Sequence, residues 1–222
     1  GNDVLDGGAG DDFLMGGAGN DILIFDPNDV FMGGHGGSGT DTWKFVGQNQ
    51  TLDLTTTPDF MWGSIEVIDL TAGGSNNTLK LSASDVMALT ETHTVRVDGV
   101  ASDKVETDSG WTKGNDTTIG GRTYSVYTKS DATLQIATAV DQTGIGALGD
   151  IDPSLGFDDP FFADLSVGDD FFDPSFFDDP NLAAISGTPG ADLILGSDFP
   201  EIIEALGGND VVVAGDGGDI ID

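Results

Sequence analysis

Residues 7–15 read GGAGDDFLM and residues 16–24 read GGAGNDILI, two adjacent nine-residue units that repeat glycine, acid and apolar residue at fixed offsets. Both fit GGxGxDxUx, where U is a large apolar residue. Glycines at the first, second and fourth places admit backbone angles closed to other residues, so main-chain carbonyls can turn toward a hard cation such as calcium. The sixth-place carboxylates, Asp12 and Asp21, supply the charge. Leu14 and Leu23, at the eighth place, fall on short strands whose alternate side chains point inward, which predicts a narrow core.

The same register returns at the far end, where GTPGADLIL (187–195), GSDFPEIIE (196–204), ALGGNDVVV (205–213) and AGDGGDIID (214–222) follow without a gap. Their eighth places are Ile194, Ile203, Val212 and Ile221, and their sixth places Asp192, Glu201, Asp210 and Asp219. Glu201 departs from the pattern, as do Pro189, Phe199 and Pro200, so sites touching them are expected to be weak or empty. GNDVLD (1–6) is the tail of an earlier unit, with Asp3 sixth and Leu5 eighth. After Ile24 the register slips through FDPNDVFM, where Asp29 and Phe31 are the nearest equivalents. It recovers in GGSGTDTWK (36–44), with Asp41 and Trp43.

These nonapeptides resemble the calcium-binding repeats of RTX proteins, over roughly a third of the chain and at both of its ends. The resemblance implies an all-β fold: a calcium-loaded parallel β-roll, or β-solenoid, built from both terminal arrays and holding several Ca2+ ions. The metal positions it implies in the first array are Asp3, Gly7, Gly8, Ala9, Gly10, Asp12, Gly16, Ala18, Asp21, Asp29, Gly36, Ser38 and Asp41. In the second they are Gly187, Pro189, Asp192, Glu201, Gly207, Asp210, Asp216 and Asp219. Asp108 lies outside every repeat, and its replacement by alanine is expected to do little.

Composition points the same way. The chain of 222 residues carries a formal charge of −32, with 39 acidic residues against seven basic ones. Such an excess repels itself in a compact state unless cations bind. Aspartate far outnumbers glutamate, which favours turn and ligand roles over helix surfaces. No basic patch offers itself to phosphates, so nucleic acid is not an expected partner. Cysteine is absent, which leaves metal as the staple of an extracellular fold. No apolar run reaches the roughly 18 residues that would span a membrane as a helix. Gly1 stands at a fourth place and Asp222 at a ninth, and the expectation is that both ends cut through a longer protein.

Four regions follow: repeats at 1–44, a β-rich domain at 45–140 inserted in the roll or stacked on it, a connecting segment at 141–186, and repeats at 187–222. In the second, TLDLT (51–55), IEVIDLT (65–71), TLKLS (78–82) and TVRVDG (94–99) alternate like short strands. Ser82 to Leu89 predicts one helix with Ser82 or Ser84 as its cap. RTYSVYT (122–128) and ATLQIATAV (132–140) flank Lys129-Ser130-Asp131 and predict a hairpin. Their order also resembles a module of very large RTX adhesins of Gram-negative bacteria. Residues 149–180 combine seven Phe with Asp-Pro pairs that oppose helix and central strand. They read as an acidic linker, as an extended segment docked on the solenoid through its Phe side chains, or as an arm for a neighbouring molecule.

Catalytic signatures are missing. His35 and His93 stand in no HExxH, and His35 reads as a turn residue. Gly37-Ser38-Gly39 lacks the GxSxG spacing of a nucleophile elbow. Trp62 and Trp111 are weak candidates for a sugar platform. The expected role is therefore non-enzymatic: a calcium-binding module of a large type I-secreted bacterial surface protein, acting in adhesion or biofilm at the cell surface. Two other roles remain open, a self-assembling surface-layer or filament subunit and the folding and secretion segment of an extracellular hydrolase. Expected partners are calcium, flanking repeats or identical neighbours, and a sugar or peptide ligand.

Overall fold

The computed structural model describes residues 1–8, 10, 12–25, 33–57, 61–71, 74, 76–149, 183–196, 201–215 and 220–221. β1 (Val4–Asp6), β2 (Phe13–Met15) and β3 (Ile22–Phe25) each begin directly after a sixth-place carboxylate. The eighth-place leucines, Leu5, Leu14 and Leu23, point inward and are at most 2 % exposed. Successive strands lie on opposite faces, so β1 pairs in parallel with β3 and places Leu5 beside Leu23. One coil therefore takes two nonapeptides, the 18-residue step from Asp3 to Asp21.

β4 (Gly33–His35) continues the β2 face and β5 (Thr42–Phe45) the β3 face. Here the structure corrects the sequence reading, because Gly34, not Phe31, holds the position beside Leu14. The coil from Asp21 to Asp41 has 20 residues, which moves its second strand along the chain; Phe31 and Asp29 lie outside the described residues. The Phe25 ring and Leu23 fill the space that Gly34 leaves. Phe25 meets Trp43 edge-on at 4.7 Å, and Trp43 lies 4.9 Å from Trp62. Trp62 is 2 % exposed, so it belongs to the core and offers no platform to a sugar. His35 is a strand residue, with its ring 5.8 Å from that of Phe13, and not a turn residue.

Beyond β5 the coil lengthens to 25 residues, from Asp41 to Glu66, and gains a third side. β6 (Thr51–Asp53) begins that side, β7 (Trp62–Gly63) ends the β4 face, and β8 (Val67–Asp69) returns to the first. The next coil runs through β9 (Thr78–Leu81), helix α1 (Ala83–Leu89) and β10 (Thr94–Asp98), and β11 (Lys104–Thr107) stacks on β9 in the coil after it. α1 forms where predicted: Ser82 and Asp85 cap it reciprocally, and Val86 and Leu89 are buried. β12 (Thr112–Lys113), β13 (Thr117–Ile119), β14 (Arg122–Lys129), β15 (Ala132–Ala137) and β16 (Asp141–Gly144) follow. β14 and β15 form the expected antiparallel hairpin, turning through Ser130 at a φ of 51°.

β17 (Ala183–Ser186) directly precedes the second array and pairs with its β19 (Glu201–Glu204); the array also supplies β18 (Leu193–Leu195), β20 (Val211–Val213) and β21 (Ile220–Ile221). It stacks on the beginning of the first array. β20 pairs with β1, setting Val212 beside Leu5, and β21 pairs with β2. The largest sheet runs β18-β20-β1-β3-β5-β8-β10-β15-β14-β12, with β13 on β14; β17-β19-β21-β2-β4-β7 and β6-β9-β11-β16 form the other two. One core cluster passes through all of them, from Ile194 to Val140.

Asp108 has a role that its place outside the repeats conceals. Its side chain is nearly buried and accepts hydrogen bonds from Trp111 Nε1 at 2.7 Å and from Lys129 Nζ. Asp108→Ala, silent on the sequence reading, is expected to destabilise the fold by about 1–3 kcal/mol by stranding both donors. Thermal melting in calcium measures it.

Candidate metal centre

Along one face of the roll, carboxylates link neighbouring coils through one of their two oxygens. Oδ1 of Asp21 accepts the N–H of Asp3 at 2.8 Å, and Oδ1 of Asp41 accepts the N–H of Asp21 at 2.7 Å. Glu66 Oε2 accepts the N–H of Asp41 at 2.8 Å. In the other direction Asp3 Oδ1 accepts from Asp210 and Asp210 Oδ1 from Asp192, both at 2.8 Å. Asp192, Asp210, Asp3, Asp21, Asp41 and Glu66 thus form one file, one acid per coil. The link from Asp210 to Asp3 spans 207 positions of sequence, yet its geometry matches that between neighbouring coils.

In three of them the second oxygen has no hydrogen bond. Oδ2 of Asp21, Asp41 and Asp210 is buried and accepts no hydrogen bond, in side chains at most 1 % exposed. A buried polar atom left bare costs about 1–3 kcal/mol, more when charged, and folds rarely carry such atoms in a row unless a cation meets them. The surrounding oxygens suit calcium. A Cβ on Gly16 would stand 2.6 Å from the Gly36 carbonyl oxygen and 2.7 Å from Asp21 Oδ2. At Gly36 the same construction meets Ser64 O and Asp41 Oδ2 at 2.2 and 2.6 Å. The first-place glycine therefore keeps open a space between a bare carboxylate and a carbonyl. This corrects the sequence reading, which gave all three glycines one reason. Only the second and fourth places need their backbone angles, as Gly17 (φ 81°) and Gly19 (φ 142°) show.

Among the described residues no three His, Cys, Asp or Glu side chains converge on a metal position. A cation in this cage would draw its charge from the file and its remaining oxygens from main-chain carbonyls, an all-oxygen donor set of the kind calcium accepts. Asp3, Asp12, Asp21, Asp41 and Asp210 are all at most 7 % exposed. Gly7 lies against Asp12, while Gly8 and Gly10 have the positive φ of their places. Ala18 and Ser38 bridge adjacent coils, with Ser38 N–H donating to Gly17 O at 2.8 Å.

The second array is less uniform. Gly187 faces Ala205 O and Asp192 Oδ2, but that Oδ2 already accepts from Thr188 N and Oγ1 at 2.6 and 2.9 Å. Asp192 caps its own turn, beside the exposed Pro189, and has less to offer an ion. Glu201 opens β19, and Gly207 is exposed with open space around it. Ala9, Asp29, Asp216 and Asp219 lie outside the described residues.

Two features of the site went unread in the sequence. Glu66 extends the file into the wider coils, and a second file of amides runs beside it. Asn209 Oδ1 accepts from Asn2 N at 3.2 Å, Asn2 Oδ1 from Asn20 N at 2.8 Å, and Asn20 Oδ1 from Thr40 N at 2.8 Å. Its signal was present as Gly-Asn-Asp at 1–3, 19–21 and 208–210. Electrostatics make the cost of the site plain. Burial pushes the Asp41 carboxyl up to about 6, against the pull of the Asp21 N–H and with the help of the Asp21 and Glu66 charges. Burial raises Asp21 as well.

The model of the RTX calcium-binding nonapeptide repeat matches this chain in four copies, over residues 1–25 and 186–221. The chain carries RTX calcium-binding repeats at both ends. No curated protein and no solved structure matches it. The matched segments hold Asp3, Asp21, Asp192 and Asp210 of the file, and these RTX repeats form a parallel, all-β roll that binds calcium. Asp41 and Glu66 continue the file beyond the matched segments. Among the described residues no helix is long and apolar enough to cross a membrane.

Proposed function

We propose that this RTX protein is a non-enzymatic module of a large type I-secreted bacterial surface protein that folds on meeting calcium outside the cell and serves adhesion. The file of carboxylates, in which Asp21, Asp41 and Asp210 each give one oxygen to the neighbouring coil and keep a buried second oxygen without a hydrogen bond, carries this reading. Such a file opposes folding where calcium is scarce, as in the cytosol, and supports it where calcium is plentiful. Sites of extracellular modules bind calcium at about 10⁻⁴–10⁻³ M, and the folding midpoint is expected in that range. Circular dichroism at buffered free calcium tests it, and a module already folded at submicromolar calcium would count against the secretion logic.

A second reading, a self-assembling filament or surface-layer subunit, draws support from the seam. The contact of β20 with β1 repeats the register used within each array, so the second array of one molecule fits the first array of another equally well. At the outer edge β18 presents Leu193 and Leu195, 69 and 64 % exposed. Exposed strand edges favour such pairing. Light scattering after refolding with calcium at rising protein concentration distinguishes the two: exchange yields particles that grow with concentration, and a strictly monomeric particle removes the filament reading.

A further inference from the structure

Both arginines of the chain, Arg96 and Arg122, open on one cleft of about 440 Å³ on the outer face of the largest sheet. Asp69 of β8, Arg96 and Asp98 of β10, and Tyr124 of β14 supply its polar walls. The β13–β14 turn, with Ile119 and Gly120, overhangs it. The groups hold one another in place. Asp98 Oδ1 accepts from Tyr124 Oη at 2.7 Å and pairs with Arg122 Nη1 at 2.9 Å. Tyr124 stands opposite Ala137 of β15, the strand between β14 and β10. Asp69 Oδ1 is fixed by the N–H and hydroxyl of Thr71, at 2.8 and 2.6 Å. Arg96 is held more loosely: its Nε lies 3.8 Å from Asp98 Oδ2, beyond hydrogen-bond reach, and its guanidinium stands over the Tyr124 ring at 6.0 Å.

We propose that this cleft binds a neutral saccharide through a pair of adjacent hydroxyls. Its two carboxylates and two guanidiniums sum to no formal charge, within a molecule of −32. An anion meets the carboxylates at close range and the field of the whole chain on approach. A cation finds a better place almost anywhere else on this surface. A hydroxyl donates and accepts at once. Adjacent hydroxyls can therefore give their protons to Asp69 or Asp98 and receive N–H donors from Arg96, with charge-assisted bonds on both sides. Ile119 and Gly120 leave an uncharged wall for the C–H face of a sugar ring, and the volume falls among the smaller ligand sites, which begin at about 300 Å³. The proposal gives the adhesion reading its ligand class and rests on that reading for its purpose; the cleft borders the end of the file, where the Arg96 N–H donates to Glu66 O at 2.8 Å, but its side chains are not members of the file, and glycoside binding is read separately from the calcium midpoint of folding.

The test is an NMR titration of the labelled, calcium-loaded protein. With two arginines in the chain, the arginine Nε–Hε region holds two signals. Methyl α-mannopyranoside, methyl β-galactopyranoside and methyl α-fucopyranoside are the probes, with methyl β-glucuronide and glycine as charged and zwitterionic comparisons. At least one neutral glycoside is expected to shift the Arg96 signal saturably, with a Kd of about 1 mM. Arg96→Lys, which keeps the charge and loses the planar fork, is expected to weaken binding about tenfold or more without moving the calcium midpoint of folding. Asp69→Asn is the second variant and is expected to weaken the same glycoside. No saturable shift with any neutral glycoside overturns the proposal, whatever the variants do. So does a response confined to glucuronide or glycine, or full binding by a folded Arg96→Lys protein.

Discussion

Calcium removal is expected to unfold the terminal coils and to leave the three-sided middle as the last part to lose structure. The repeats consist of three- and four-residue strands joined by glycine turns, so each coil buries little more than its eighth-place side chains. Ordering the backbone costs about 1–2 kcal/mol per residue, while burying one leucine returns roughly 1.5–3 kcal/mol. The bare Oδ2 atoms of Asp21, Asp41 and Asp210 add a further cost. Binding that favours only the folded form must offset all of these. In chelator the amides of Asp3, Asp21 and Asp192, which donate along the file, are expected to lose hydrogen-exchange protection first. Asp21→Ala and Asp210→Ala remove both the acceptor and the ligand oxygen, and each is expected to raise the calcium needed for folding by about tenfold or more. Magnesium should substitute poorly, since it gives up its water reluctantly and tolerates wide oxygen cages badly. A chelated protein that keeps its β signal and melting temperature would sink the central claim.

The parts of the fold written locally were legible. The nonapeptide sets strand, turn and carboxylate within nine positions. The cap at Ser82 and the turn at Ser130 are equally local, and α1 and the β14–β15 hairpin stand where they were expected. What depends on a partner coil was not. Gly34 takes the place expected of Phe31 because two extra residues enter the coil and because the Phe25 ring and Leu23 occupy the space a side chain there would need. Nothing within the span 26–32 states either fact. The seam between β20 and β1 had no local sign at all, since each array reads the same whichever edge it stacks upon. Asp108 looked idle because its partners, Trp111 and Lys129, meet it only once the far hairpin has formed. The Phe-rich stretch, from Ile151 to Pro180, lies outside the described residues.

Asp41→Asn is expected to invert its effect on stability with calcium: stabilising without the ion, destabilising with it. The amide keeps an oxygen for the N–H of Asp21, so the link to the next coil survives. Its NH2 group takes the place of the bare Oδ2, in a cage where Ser64 O is already close by. A donor suits that cage; a second negative oxygen does not. The carboxyl of Asp41 titrates at about 6 in the fold, against 3.8 as its ordinary value, chiefly because it is buried. Without calcium at neutral pH its charge therefore opposes folding, and the amide is expected to stabilise by on the order of 1–3 kcal/mol. The pH dependence has the matching sign. Folding the calcium-free protein takes up a proton between 3.8 and about 6, so acidifying from neutral through that window stabilises it, and the gain disappears as pH rises again through about 6. The variant should lose this contribution to the slope. In calcium the order reverses, because the carboxylate brings a full charge to the ion and the amide only a dipole, and the variant should need about tenfold more calcium to fold. Parallel melts in chelator and in calcium, at pH 7 and pH 5, read all of this from two proteins. If Asp41→Asn is the weaker of the two under every condition, Oδ2 is not held open for a cation.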